Sequence, residues 1–192
     1  MTDIPVQEAG WEYNDVCPCD TQFIEYLTES NIGKLSSAVI FHMGPGMHHK
    51  VGLWAVEQKK VFVRSMTLAP KEILEYIRLA TADPWLNSRY LVDFGDIHLL
   101  DKMLLPKFDF ISLFHLGEIS AQAFEEDYPG HNIETVLTIM SQRLSIGGEM
   151  LFYERSAAWE KIRMIIDFNL YDRYSYKKSN FKDLAVFRKK VL

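Results

Sequence analysis

A buried strand that runs through a glycine-broken turn directly into a helix leaves few folds open to a chain. Residues 36 to 49, Ser-Ser-Ala-Val-Ile-Phe-His-Met-Gly-Pro-Gly-Met-His-His, read as such a strand and turn, and Lys50 to Gln58 continue as a helix. Gly44 and Gly46 permit positive φ and a close approach of backbone. The N-terminus of the helix behind them offers unpaired N–H groups to a polar ligand. A Gly-Pro-Gly turn alone is a weak constraint, and the rest of the chain strengthens it by repeating the strand and helix alternation.

Val61, Phe62 and Val63 place a second buried strand at Lys60 to Met66. Pro70 opens a helix to Ala82, with Ile73, Leu74, Ile77 and Leu79 as its apolar stripe and Glu72 and Glu75 near its positive end. Asp83-Pro84 ends it. Further strands are expected at Arg89 to Phe94, Phe108 to Phe114 and Glu149 to Glu154. Helices are expected at Ile133 to Leu144, followed by a sharp turn at Gly147-Gly148, and at Ala157 to Asp167. The segment from Asn169 to Leu192 suits a closing antiparallel pair of strands. At the other end, Asp20 is read as the N-cap of a helix from Thr21 to Glu29 with Phe23, Ile24 and Leu27 inward, stopped by Gly33. The order predicts an α/β sheet with helices on both faces and a ligand beyond the C-terminal strand ends.

The 192 residues suit one domain with an ample core, organised as an N-terminal cap segment and helix (1–33) and an α/β domain (34–192). A net charge of −5 and the lack of a basic stripe argue against nucleic acid as a partner. No apolar run reaches bilayer length and the first residues lack a signal-peptide pattern, so no membrane partner and a cytoplasmic location are expected. Cys17 and Cys19 flank Pro18, a spacing that fits neither a disulfide framework nor a zinc site, and they are read as reduced thiols in a turn.

In their order these segments resemble a class I S-adenosylmethionine-dependent methyltransferase from Lys34 onward. Val39 to His48 is similar to that family's first strand and glycine-rich loop, Val61 to Leu74 to its second strand and helix start, and Phe94-Gly95-Asp96 to its adenine-side motif. Phe108-Asp109-Phe110-Ile111-Ser112 resembles the fourth strand, and Leu144 to Phe152 the Gly-Gly stretch that leads into the fifth. The resemblance implies a Rossmann-like, doubly wound, mostly parallel seven-stranded sheet with helices on both faces. It further implies S-adenosylmethionine as cofactor and methyl transfer to a small-molecule acceptor, with a homodimer left open. The cofactor residues so implied are His42, Gly44, Gly46, Thr67, Asp96, Ile97 and Phe114. Asp96 is equally suited to cap the turn before Ile97 to Leu100.

The chain departs from the family pattern where His42 stands for an acid, His48 for the third glycine and Thr67 for the acid that ends the second strand. Thr67 offers one hydroxyl where a carboxylate accepts two hydrogen bonds. The sequence places His42, His48, His49 and His115 at the ends of the first and fourth strands, where imidazoles act as bases or ligands. His115 and His49 are the candidate catalytic residues, and no metal site is assigned. Trp11, Tyr13, Glu118 and Tyr153 are the candidate acceptor contacts, with Glu125, Glu126, Asp127, Tyr128 and Trp159 nearby in the same pocket reading. Two other readings stay open: a methyltransferase-like ligand- or partner-binding module without catalysis, and a metal-dependent enzyme using the histidines.

Overall fold

Ile40 and Phe41 are consecutive on the first strand, point to opposite faces, and are both fully buried. Only a strand covered on both sides allows this. The computed structural model describes residues 18–29, 37–118, 130–167, 173–177, 180–181 and 183–191. Its strands are β1 (Ala38–Met43), β2 (Val61–Thr67), β3 (Tyr90–Phe94), β4 (Phe108–Ser112), β5 (Leu144–Tyr153), β6 (Tyr174–Lys177) and β7 (Leu184–Lys189). Its helices are α1 (Cys19–Glu29), α2 (Lys50–Glu57), α3 (Pro70–Ala82), α4 (Ile133–Arg143) and α5 (Trp159–Ile165).

The strands form one seven-stranded sheet in the order β3-β2-β1-β4-β5-β7-β6. The first five are parallel to their neighbours, and β7 runs antiparallel to β5 and β6. Chain order reverses between β1 and β4, which pair with His42 opposite Ser112. That switch point is where a doubly wound sheet opens a crevice.

Each face has its own core. Phe23 and Leu27 of α1, Val51 and Ala55 of α2 and Tyr76 of α3 pack with Ile40, Val63 and Tyr90 on one side. Leu137 and Met140 of α4 and Trp159 and Ile162 of α5 pack with Phe41, Ile111 and Phe152 on the other. Full burial of each such aliphatic or aromatic side chain is worth about 1.5–3 kcal/mol, so α1 is as much a part of the fold as the helices between strands. Among the described residues no helix is long and apolar enough to cross a membrane.

Several expectations are corrected. The helix α3 buries Glu72 and Tyr76 and leaves Leu74 and Ile77 exposed, so its stripe is turned from the one the apolar spacing suggests. Gly147-Gly148 is not a turn before β5 but lies within it, at an irregular register against β4. A Cβ on Gly148 would stand 2.9 Å from the Asp109 carbonyl oxygen, which is why the strand takes glycine there. Asp20 is the second residue of α1 rather than its cap, and the Gln22 N–H donates to the Pro18 carbonyl instead. The expected division at residues 33 and 34 lies outside the described residues.

Candidate functional site

The turn after β1 brings its glycines into the conformation that the sequence anticipates, with φ of 71° at Gly44 and 61° at Gly46. A Cβ added to Gly44 would meet nothing within 4 Å, so open space stands before the turn. The same is true of Gly95, just beyond β3. The turn is tied to β2 by the Gly44 N–H, which donates to the Met66 carbonyl.

Behind this turn, α1 inserts a carboxylate between two histidines. Asp20 Oδ1 lies 3.5 Å from His42 Nε2 and Oδ2 lies 3.7 Å from His48 Nε2. His42 is buried, and its Nδ1 meets Ser112 Oγ across the β1–β4 seam at 2.7 Å. Burial works to raise the Asp20 pKa, yet the facing imidazoles of His42 and His48 and the hydrogen bonds hold it below the ordinary carboxylate value. Position 42 lacks the acid of the family pattern, and a buried carboxylate reaches it from another element.

A similar relocation occurs at β2. The Thr67 hydroxyl donates to Glu72 Oε2 at 2.7 Å and accepts from the Ala69 N–H at 3.0 Å. Glu72 itself is 1 % exposed. Its carboxylate therefore stands behind Thr67, inside the start of α3, and the hydroxyl is engaged by the protein. His49 belongs to this interior rather than to the cleft. Its Nε2 donates to the Glu72 carbonyl at 3.0 Å, so its Nδ1 accepts from the Tyr90 hydroxyl at 2.7 Å. Fully buried, it has its pKa lowered to about 4, chiefly by desolvation. The four histidines do not form one cluster: His42 and His48 share Asp20, His49 faces Tyr90, and His115 stands apart with other partners.

Asp96 lies two residues beyond β3 and accepts from the His98 N–H at 2.8 Å, the capping role that its sequence position allows. Ile97 beside it is buried in the α4 face. Phe114 is buried between Phe23, His42 and Tyr153.

His115 follows β4 with φ of 59°, and this left-handed residue turns the chain so that Glu118 comes back to it. His115 Nδ1 donates to Glu118 Oε2 at 3.0 Å, and the other carboxylate oxygen accepts from Ser156 Oγ at 2.7 Å and the Ala157 N–H at 2.8 Å. Burial raises the Glu118 pKa, but these hydrogen bonds from Ser156 and His115 outweigh it and leave the carboxyl below its ordinary value. The Tyr153 ring lies 5.5 Å from that of His115, and Cys19 Sγ lies 3.9 Å from His115 Nε2. Trp11, Tyr13, Glu125, Glu126, Asp127 and Tyr128 lie outside the described residues. Among the described residues no three His, Cys, Asp or Glu side chains are grouped to hold a metal ion.

Neither a family model nor a curated protein matches the sequence. Solved structures do match the fold. A methyltransferase from Pyrococcus furiosus superposes with a TM-score of 0.61 at 17% identity over 94% of this chain and 89% of its own. Magnesium protoporphyrin IX methyltransferase from Synechocystis PCC 6803, solved with bound S-adenosylmethionine, gives 0.58 at 12% identity over 95% and 87%. An rRNA methylase from Streptococcus thermophilus gives 0.55 at 9% identity over 93% and 98%. The chain has the class I methyltransferase fold.

The residues at the ends of β1 and β3 fit S-adenosylmethionine to this extent: Gly44 has positive φ, and at neither Gly44 nor Gly95 would a Cβ meet another atom within 4 Å. The end of β2 fits less closely, since its carboxylate is interior. Three residues were invisible as site residues in the sequence: Asp20, Glu72 and Cys19. Each sits in the first turn of a helix, where an acid is ordinarily explained by the dipole and a cysteine by packing. The one available signal was the absence of acids at positions 42 and 67: Glu72 lies only five positions beyond Thr67, whereas Asp20 is 22 positions before His42 and no local pattern joins them.

Proposed function

We propose that this protein transfers a methyl group from S-adenosylmethionine to a small-molecule acceptor. The observation that carries the reading is the open glycine turn, Gly44 and Gly46 at positive φ, placed at the end of β1 beside the strand-order reversal. When bound, S-adenosylmethionine supplies an electrophilic methyl on a sulfonium. The protein's tasks are then alignment and, for a protic acceptor, removal of a proton. The Gly44 to Gly46 backbone would hold the amino-acid end of the cofactor, and Asp96 and Ile97 the adenine end, with His42, Thr67 and Phe114 lining the strand ends between. His115 is the base: its Nδ1–H is given to Glu118, which makes Nε2, 3.9 Å from Cys19 Sγ, the accepting nitrogen. Tyr153 and Glu118 beside it, with Trp11 and Tyr13 from the N-terminal segment, would receive the acceptor. The net charge of −5 favours a small acceptor over the rRNA named for one similar structure.

Calorimetric titration with S-adenosylmethionine and S-adenosylhomocysteine tests the reading. Saturable binding that weakens in Gly44→Val supports it, and an absence of heat with both compounds overturns it. One observation favours a second reading, a methyltransferase-like module that binds without catalysis: the Thr67 hydroxyl is bonded to Glu72 and Ala69, so the end of β2 presents no free carboxylate. Methyl transfer to any acceptor in a screen eliminates it.

A further inference from the structure

Cys19 opens α1, whose Phe23, Tyr26 and Leu27 are packed in the core, so the position of its thiol is set by the fold. Three groups from three parts of the chain line up there. Cys19 Sγ comes from the start of α1, the His115 ring from the turn after β4, and the Glu118 carboxylate is anchored to Ser156 and Ala157 of the β5–α5 connection. The separations are 3.9 Å from Sγ to Nε2 and 3.0 Å from Nδ1 to Oε2. A carboxylate can only accept, so His115 carries its hydrogen on Nδ1 and turns the lone pair of Nε2 to the thiol. Nucleophile, base and orienting carboxylate thus stand in the sequence that activates a thiol. At rest the S–H of the buried Cys19 donates to Asp20 Oδ1 at 3.7 Å, so activation requires the hydrogen to turn to His115 Nε2, 3.9 Å from Sγ.

We propose that Cys19, His115 and Glu118 form a nucleophilic triad that takes the acyl group of a small activated ester or thioester. This activity shares His115 and Glu118 with the proposed methyl transfer but does not rest on that reading. The choice of an acyl substrate follows from the histidine. A sulfonium leaves as a neutral thioether and needs no proton, whereas an alkoxide or thiolate leaving group does, and an oriented imidazolium supplies it. In the first step the thiol proton passes to His115 Nε2, the sulfur bonds to the carbonyl carbon, and the carbon–oxygen or carbon–sulfur bond to the leaving group breaks as that group takes the proton from His115. In the second, His115 removes a proton from water, the hydroxide displaces Cys19 from the acyl carbon, and the thiolate regains its proton. Nothing is oxidised or reduced. Glu118 acts through His115 and is a positioning residue.

The test is reaction of the full chain with p-nitrophenyl acetate, following nitrophenolate release and locating the acetyl group by peptide mass mapping. The expected result is a burst of nitrophenolate with the acetyl group on Cys19. Cys19→Ser abolishes the burst, and Cys17→Ser leaves it unchanged. His115→Ala slows it on the order of 100-fold, and added imidazole restores part of the rate. Glu118→Gln slows it less, about tenfold, and the nitrogen chemical shifts of His115 show loss of the single Nδ1–H tautomer. Iodoacetamide on the unaltered chain needs no variant, and it should alkylate Cys19 at least about tenfold faster than Cys17. Acetyl groups spread over lysines, equal alkylation of both cysteines, or a folded His115→Ala that reacts at the rate of the unaltered chain would each overturn the triad.

Discussion

Lowering the pH from 7 to 5 should unfasten the protein at His49, whose backbone N–H donates to the Gly46 carbonyl. The buried imidazole is bonded on both nitrogens, to the Glu72 carbonyl and the Tyr90 hydroxyl, and its pKa is lowered from 6.5 to about 4 by desolvation. The unfolded chain therefore binds a proton at this position before the folded one does. Stability is complete above pH 6.5 and is lost as the pH falls from there through the folded value. Linkage puts the loss at about 2 kcal/mol by pH 5 and about 3 kcal/mol by pH 4. A domain of this kind has roughly 5–15 kcal/mol in all, so the shift is readily measured. Asp20 and Glu118, whose pKa values are lowered, weaken the fold only as the pH drops into the carboxylate range, roughly 4, below this window. Urea unfolding at pH 7, 6 and 5 should give a falling midpoint at constant slope. His49→Gln keeps a donor for Glu72 and an acceptor for Tyr90 but cannot titrate. It should start less stable and lose about 2 kcal/mol less between pH 7 and 5. Parallel loss in the two proteins would refute the assignment of the acid sensitivity to this buried ring.

Gly52→Ala should be damaging, because an added Cβ would stand 2.3 Å from Tyr90 ring carbons, and the overpacking costs about 1–3 kcal/mol or more by chemical denaturation. Gly44→Ala places a Cβ in open space at φ of 71°, so it should cost only about 1–2 kcal/mol of stability, while calorimetry shows a larger loss of cofactor affinity. Glu72→Gln still offers Thr67 an acceptor, so it should lower stability by about 1 kcal/mol and leave S-adenosylmethionine affinity within a few-fold; a larger loss of affinity would mean that the carboxylate reaches the ligand. Glu149→Ala strips the buried partner from the Tyr26 hydroxyl at 2.5 Å and from Lys177 at 3.1 Å, and thermal unfolding should report a loss on the order of 3 kcal/mol.

What the sequence disclosed was whatever depends on neighbours in the chain. The run from Ala38 to Glu57 needs only local rules: an apolar strand, glycines at positive φ and a helix start. The alternation of strands and helices then fixed the layer architecture. The errors come from partners far apart in sequence or from polar groups that are satisfied inside. Apolar spacing turned α3 the wrong way because Glu72 and Tyr76 are buried with hydrogen-bond partners, Thr67 for one and Asn87 for the other. Gly147-Gly148 reads as a turn, but the pair serves a strand that passes too close to Asp109 for a side chain. Histidines near strand ends appear as one group in the sequence, but His49, in the αL conformation, has its ring bonded to Tyr90 and the Glu72 carbonyl rather than to Asp20. The Cys19 thiol and His115 are separated by 96 positions, and no local pattern could join them.

Asp20 and Glu72 play parallel parts at two strand ends. In each case a neutral or basic side chain stands at the strand end, and a carboxylate from the first turn of a helix faces it. Burying an ion without a partner costs several kcal/mol, so each carboxylate is stabilised by the groups that face it, His42 and His48 for Asp20 and Thr67 for Glu72. A consequence follows for the cleft. With the carboxylates turned inward, 5 % and 1 % exposed, the negative charge at these strand ends is spent on the protein. Under the proposed function, the cofactor at the Gly44 to Gly46 turn would therefore meet mainly backbone groups, and its recognition would depend on the conformation of that turn more than on any single side chain.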